Sequence, residues 1–490
     1  MKKIILRIKK KDDILFFLLI FFIAIGITLN LNISASDEIW NFQNAYKMYS
    51  GFKIYEDINV IVTPLFFWLT EVIFHLFGAN IFIFRIIHCI EMAVLYLFTY
   101  KILKKLKISK MFSLFVTIIF LIQGFFLLIM TSANYNNMAL MVVIIGIYLL
   151  IHSKFKRNWL IQAIISIIIF LIKQNIGIYY IIGYCIFIIL SKNIKKNKKI
   201  NEVLKFIGTI ILAISIFIIA LIIDNNFYNF ANYAFGGIFE FANENFIADS
   251  SCIIFVVMLM ITNIILDIFL MKSKYFTKEK LENIRILFAF SFSLVLIFYP
   301  IFNWTHALIA IYVTLINLAY IVFTILKDFE KMLVGKIKKI NYVFIIILIV
   351  FSSYNIYNWI TYIKSETYFY SWEDPFFGGI IGKEEYNKNE EIIKYIEKNN
   401  KKVIILSNRA ALYMVPLKRN NGDFDLPFKG NLGIKGEEGL IEKIKNMSYI
   451  QFLICDENDG KIYQEVVEAK EYIKDTKKHV GKIEDFEIYE

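Results

Sequence analysis

Long uncharged stretches dominate the pattern along the chain. The runs at 14–33, 81–101, 111–130, 136–152, 159–172, 175–190, 204–223, 251–271, 285–299, 304–326 and 341–360 each read as a membrane-spanning helix, about 20 apolar residues being needed to cross the hydrocarbon core. This predicts a polytopic α-helical membrane protein with about eleven spans, plus an amphipathic segment at 60–77. The stretch 159–190 is either one long helix or two short ones turning at Lys173-Gln174-Asn175, and 224–250, with Asp224 and Phe235-Gly236-Gly237, reads as a loop. After residue 361 the pattern changes. "KKVIILSN" (401–408) and "YIQFLICDE" (449–457) read as buried strands, and 389–400, 436–447 and 463–478 show helical spacing of their apolar residues. That order predicts a small α/β domain with a parallel sheet over 361–490, beside a membrane domain over 1–360.

Composition agrees. The chain is 58% hydrophobic and only 20% charged over its 490 residues, too apolar for a soluble fold. A net charge of +12 raises the question of nucleic acid, but the basic excess is confined to the membrane half: residues 1–360 hold 34 Lys and Arg against 18 Asp and Glu, and residues 361–490 hold 20 against 24. Nucleic acid is therefore set aside as a partner. With the N-terminus inside, the cytoplasmic segments 1–13, 101–110, 153–158, 192–205, 272–285 and 327–339 carry 6, 5, 3, 6, 5 and 5 basic residues, while the opposite connections before 361 carry only Lys47, Lys53 and Lys173. The positive-inside rule is followed at every turn, and it requires 159–190 to be two helices. The expected place is a bacterial cytoplasmic membrane, with the N-terminus cytoplasmic and the 361–490 domain extracytoplasmic. The first run reads as an uncleaved anchor rather than a signal peptide, although Ser34-Ala35-Ser36 is faintly like a cleavage site. Cys89, Cys185, Cys252 and Cys455 are scattered, with no CxxC pair, so no zinc site or disulfide framework is read. "GIKGEEG" lacks the Lys-Ser/Thr pair of a phosphate loop, and no internal repeat is visible.

The candidate chemistry lies on the outer face of this map. Asp37 and Glu38 follow the first span and open a short helix, "SDEIWNFQNAYKMYSG", with Ser36 as its cap and Gly51 as its stop. Acidic residues there satisfy the helix dipole, and the same position holds a carboxylate at a fixed depth, ready to take a proton from an acceptor hydroxyl. The two are about 100° apart around the axis, so only one can enter a cleft. Arg85, Asn134, Asn137, Lys173, Gln174 and His306 reach the same face and are candidates for holding an anionic, lipid-linked phosphate. Each has a plainer account: Lys173 snorkelling to headgroups, Arg85 and His306 bonding at the interface, Asn134 to Asn137 forming a turn. Glu91 reads as a structural partner inside the bundle, Asp267 as facing a basic loop near the inner end. The polar loop "NNGDFDLPFKGN" (420–431), with Asp423 and Asp425, is long enough to reach back to the membrane face.

Asp37, Gly51 to Tyr55, Pro64, Phe77-Gly78 and Arg85 together resemble the opening of the protein mannosyltransferase-like glycosyltransferases of the GT-C superfamily, including their lipid A aminoarabinose transferase-like members. "FLIKQNIGIYY" is similar to their Lys-Gln break, "YPIFNWTHAL" to a later motif in which an outer histidine opens a span, and "SNRAALYMVPLKR" to a periplasmic segment of some members. The resemblance covers residues 10–330 well and the rest loosely. It implies a GT-C-like fold and transfer of a sugar from a polyprenyl-phosphate-linked donor to a lipid-linked glycan or other cell-envelope acceptor, the lipid lying among the helices. Asp37 would be the base, with Glu38 beside it, and Lys173, Arg85 and His306 would face the leaving phosphate. Two departures stand out. Thr63-Pro64 replaces a usual double proline, and Asn134 to Asn137 stand where many members carry a second acidic residue, which weakens a metal-dependent mechanism. The rival class, a transporter or flippase of lipid-linked saccharides, would show related halves and helices broken near mid-membrane.

Overall fold

Residue 173 is where the longest apolar stretch turns. Lys173 is extended (φ −153°, ψ 114°) between the helices Asn158–Ile172 and Gln174–Leu190. The two helices pack so closely that a Cβ added to Gly177 would lie 2.4 Å from Phe170 Cα. Only glycine fits there, so this stretch of the chain is two helices, as the charge pattern requires.

The computed structural model describes residues 2–29, 32–33, 37–126, 133–152, 158–244, 247–272, 276–325, 367–425, 431–455 and 466–490. The expected span at 341–360, residues 127–130 of the third span and the Ser36 cap lie outside the described residues. Among the described residues six helices are long and apolar enough to cross a membrane: Ile81–Lys105, Tyr135–His152, Lys196–Ile223, Ser250–Lys272, Lys278–Phe298 and Trp304–Ile325. Shorter apolar helices include Leu65–Phe77 and the pair meeting at Lys173. The fold is mostly helical and the protein is a multi-pass membrane protein.

The chain divides into two compact units, Met1–Thr28 with Ile86–Ile216 and Ala248–Tyr357, and Leu29–Arg85 with Phe217–Ile247 and Asn358–Glu490. In the first unit, Asp267 does not face a basic loop. It is fully buried, and its Oδ2 accepts from Asn263 Nδ2 (3.0 Å) and Asn317 Nδ2 (2.8 Å), tying the Ser250–Lys272 helix to the Trp304–Ile325 helix. Glu91, expected to have a partner inside the bundle, is buried with neither carboxyl oxygen hydrogen-bonded.

Three further features differ from the sequence pattern. The first helix ends at Thr28 instead of running to Ile33, whose N–H finds Ile380 O (2.8 Å). Residues 227–244, read as loop, are helical with a π-helical turn at Ala231–Gly237. Aromatic burial holds that segment: Phe230 meets Tyr55 (5.2 Å between centroids) and Phe217 (5.4 Å), and Asn226 Nδ2 donates to Ile54 O. The sheet, finally, has one parallel pair and then an antiparallel hairpin. Lys402–Leu406 runs parallel to Ile450–Ile454, Phe486–Tyr489 runs antiparallel to that strand, and His479–Ile483 closes the edge. Helices Lys383–Lys398, Gly436–Lys445 and Val467–Thr476 fall where periodicity places them, and Ile404, Leu406, Leu440, Ile444, Phe452, Ile454 and Ile473 form a core.

Candidate active site

The helix Asp37–Tyr49 carries an unusual burden for 13 residues: Glu38, Asn41, Gln43, Asn44 and Lys47 are all at most 2% exposed. Its two acidic residues part company in the first turn. Asp37 is exposed. Glu38 is buried against Arg85, whose Nε donates to Oε1 (3.1 Å) and Nη2 to Oε2 (2.9 Å), the paired geometry a guanidinium makes with a carboxylate. Arg85 Nη1 donates to Gly378 O (3.0 Å). That carbonyl is close because Gly378 takes φ +83° and lies where a Cβ would be 2.6 Å from Phe82 Cβ. The 374–378 turn also satisfies the start of the Ile81–Lys105 helix: Ile81 N donates to Pro375 O and Phe82 N to Phe377 O, while Asn80 Oδ1 accepts from Ile83 N. Phe42, on the Glu38 side of its helix, meets Phe74, Phe84 and Phe376 at 5.8–6.0 Å. Arg85, expected at the donor phosphate, is thus turned onto Glu38 and Gly378.

At the other end of the same helix Lys47 forms a buried ion pair with Asp425, so the 420–431 loop does reach the first loop. Asn59 Nδ2 donates to Asn431 O (2.9 Å) and Asn420 Nδ2 to Asp57 O (2.7 Å), fastening the same two segments. Burial pulls the Lys47 ammonium down to about 7. In an Asp425→Asn variant no carboxylate is left to hold the buried ammonium, so Lys47 should bind its proton still more weakly folded than in the wild type, against about 10.4 unfolded. Stability of the variant should then rise with pH from below about 7 toward 10 and be lowest at the acid end. Thermal unfolding at pH 6 and pH 9 checks this: the deficit against wild type should shrink at pH 9, and an equal deficit at both would rule Lys47 out as the titrating group.

In the first unit, Lys173 Nζ donates to Asn136 Oδ1 (2.5 Å) and sits 5.0 Å from the Tyr135 ring centre. Lys173 and Gln174 are 8% and 3% exposed. Asn134, expected to be a ligand-binding amide, caps the Tyr135–His152 helix by accepting from Asn137 N (3.0 Å). Lys173 therefore meets Asn136, a residue between the two that the sequence singled out; its place in "ANYNN" was the available signal. His306 is held by Asn303, whose Oδ1 caps the Trp304–Ile325 helix through His306 N (3.0 Å) and meets His306 Nδ1 (2.9 Å). The geometry thus joins Glu38 and Arg85 in the second unit, next in sequence to an exposed Asp37, and in the first unit it joins Lys173 to Asn136 and His306 to Asn303. Among the described residues no three His, Cys, Asp or Glu side chains gather in a way that would hold a metal ion.

Residues 62–223 match the family model described as dolichyl-phosphate-mannose-protein mannosyltransferase. Among solved structures, ArnT from Cupriavidus metallidurans bound to undecaprenyl phosphate is similar over 97% of both chains, with a TM-score of 0.59 and 10% identity. The apo state of the same protein is similar over 98% of both chains, with a TM-score of 0.50 and 8% identity. At such identities the likeness is one of fold. Curated protein sequences offer no match. A mannosyltransferase family model thus matches residues 62–223, part of the chain, and nearly the whole chain shares the fold of ArnT.

Proposed function

We propose that the protein transfers a sugar from a polyprenyl-phosphate-linked donor to a hydroxyl of a cell-envelope acceptor at the outer face of a bacterial cytoplasmic membrane. The observation that carries this reading is the split between the acidic pair: Glu38 is locked to Arg85, which leaves Asp37 exposed at the head of the same helix. The mannosyltransferase match, and the undecaprenyl phosphate named with the ArnT structure, support a polyprenyl-phosphate donor. In a single displacement Asp37 takes the acceptor's proton as its oxygen bonds to the sugar's anomeric carbon. The bond from that carbon to the phosphate oxygen breaks, and polyprenyl phosphate leaves with the electron pair. The leaving group needs positive charge more than a proton, a role assigned to Lys173, held by Asn136, with His306, Gln174 and Asn137 as further polar groups. Arg85 acts by positioning Glu38 and the helix.

The test is transfer from a synthetic polyprenyl-phosphate sugar by the purified protein. Lys173→Ala should raise the donor KM and lower kcat together, about tenfold or more in each, because the charge meets phosphate in both the ground and transition states. No donor cleavage by the wild type would overturn the reading. The orientation, N-terminus inside and residues 361–490 outside, rests on the basic residues of the loops. Reporter fusions after residues 105 and 200 should report cytoplasm, and one after residue 400 the exterior; a cytoplasmic tail would overturn the outer-face assignment.

A further inference from the structure

Seen down the Asp37–Tyr49 helix, residues 37, 41 and 44 fall within an arc of about 60°. Elsewhere on the helix, Glu38 and Phe42 pack on Arg85 and the phenylalanine cluster, and Lys47 pairs with Asp425. The Asp37 face is different. Asn44 is 1% exposed, and neither its Nδ2 nor its Oδ1 has a hydrogen-bond partner. Asn41 is fully buried; its Nδ2 donates to Asp37 O (2.7 Å), and its Oδ1 has no partner. Gln43 Oε1 is also unpaired but lies about 120° round the helix from Asp37, off this face. Buried amides left unpaired are destabilising, and two in succession beside a reactive carboxylate point to an occupant that pairs with them.

We propose that Asn41 and Asn44 recognise the acceptor, and that the acceptor is an uncharged saccharide lying along this helix with its reacting hydroxyl at Asp37. This deepens the transferase reading and rests on it. A primary amide both donates and accepts, which matches a sugar hydroxyl or an N-acetyl group, and neither Asn carries a charge to pair with an ionic one. A rise of 1.5 Å per residue puts Asn41 about 6 Å and Asn44 about 10.5 Å beyond Asp37, so the contacts extend past one sugar ring. The two amides are about 4.5 Å apart along the axis. That is shorter than the roughly 6.6 Å between same-side groups of an extended peptide, which favours a glycan over a protein acceptor.

The experiment compares wild type with Asn44→Leu and Asn41→Leu, each checked for folding by thermal unfolding. A polyprenyl-phosphate sugar is the donor, with methyl chitobioside or a Ser/Thr-containing tripeptide as acceptor. Each variant should raise the disaccharide KM about tenfold, roughly one hydrogen bond's worth, and the donor KM by less than twofold. Transfer to the peptide and not to the disaccharide, or a disaccharide KM within twofold of wild type, overturns the proposal. If the wild type cleaves no donor, the transferase reading falls by itself. Calorimetric binding of methyl chitobioside then decides the amide pair: at least tenfold weaker binding by Asn44→Leu supports it, and equal binding or none by the wild type overturns it.

Discussion

Asp37→Asn should reduce sugar transfer by about 10²–10⁴-fold, or about 3–5 kcal/mol of transition-state stabilisation. The amide has the carboxylate's shape and still accepts hydrogen bonds, so it can cap the first turn, but it cannot take a proton at neutral pH. The loss should therefore fall on kcat, with folding intact. Asp37 is exposed and its neighbour Glu38 is engaged, so no second carboxylate on this helix stands ready to replace it. The measurement is turnover of a polyprenyl-phosphate sugar by variants matched for thermal unfolding. Most of the turnover surviving in Asp37→Asn would reduce the residue to a helix cap.

Much of the fold could be read from the chain because bilayer and helix impose simple periods. The polar Lys173-Gln174-Asn175 marked where 159–190 could turn, and charge decided that it does, since an undivided helix would have put the 192–205 lysines on the wrong side. The hairpin His479–Tyr489 was missed although Phe486 and Ile488 alternate with polar residues: two strands of four and five residues give little periodic signal after a strong helix. The 227–244 segment was missed because its helix is held by aromatic contacts with Tyr55 and Phe217, distant in sequence. At the site, spacing separated Asp37 from Glu38 but could not say what would meet Glu38. Nor could it tell that Asn134 serves its own helix while Asn136 turns to Lys173, because three asparagines within four residues look alike until a backbone assigns them.

The second large effect is on stability. Glu38 is 2% exposed and Arg85 fully buried, so removing either partner leaves a charge in a site it cannot leave without unfolding. Arg85→Leu and Glu38→Gln should each cost about 3–5 kcal/mol. Arg85→Leu has the further penalty of taking the donor from Gly378 O, which should make it the worse of the two. Replacing both at once, Glu38→Met with Arg85→Leu, should recover much of the loss, because an apolar pair has no charge left to strand. The cycle would then show a coupling of about 2–3 kcal/mol, at the high end for residues in contact. Apparent Tm and inactivation half-life in detergent provide the readout, since membrane enzymes of this size seldom unfold reversibly. Single variants that melt within a few degrees of wild type would mean the pair does not hold the helix. Activity per folded molecule separates the roles further: Glu38→Gln should keep transfer within about tenfold, because its carboxylate orients the helix and does not take the proton. A folded Glu38→Gln with no turnover, beside an active Asp37→Asn, would exchange the two assignments.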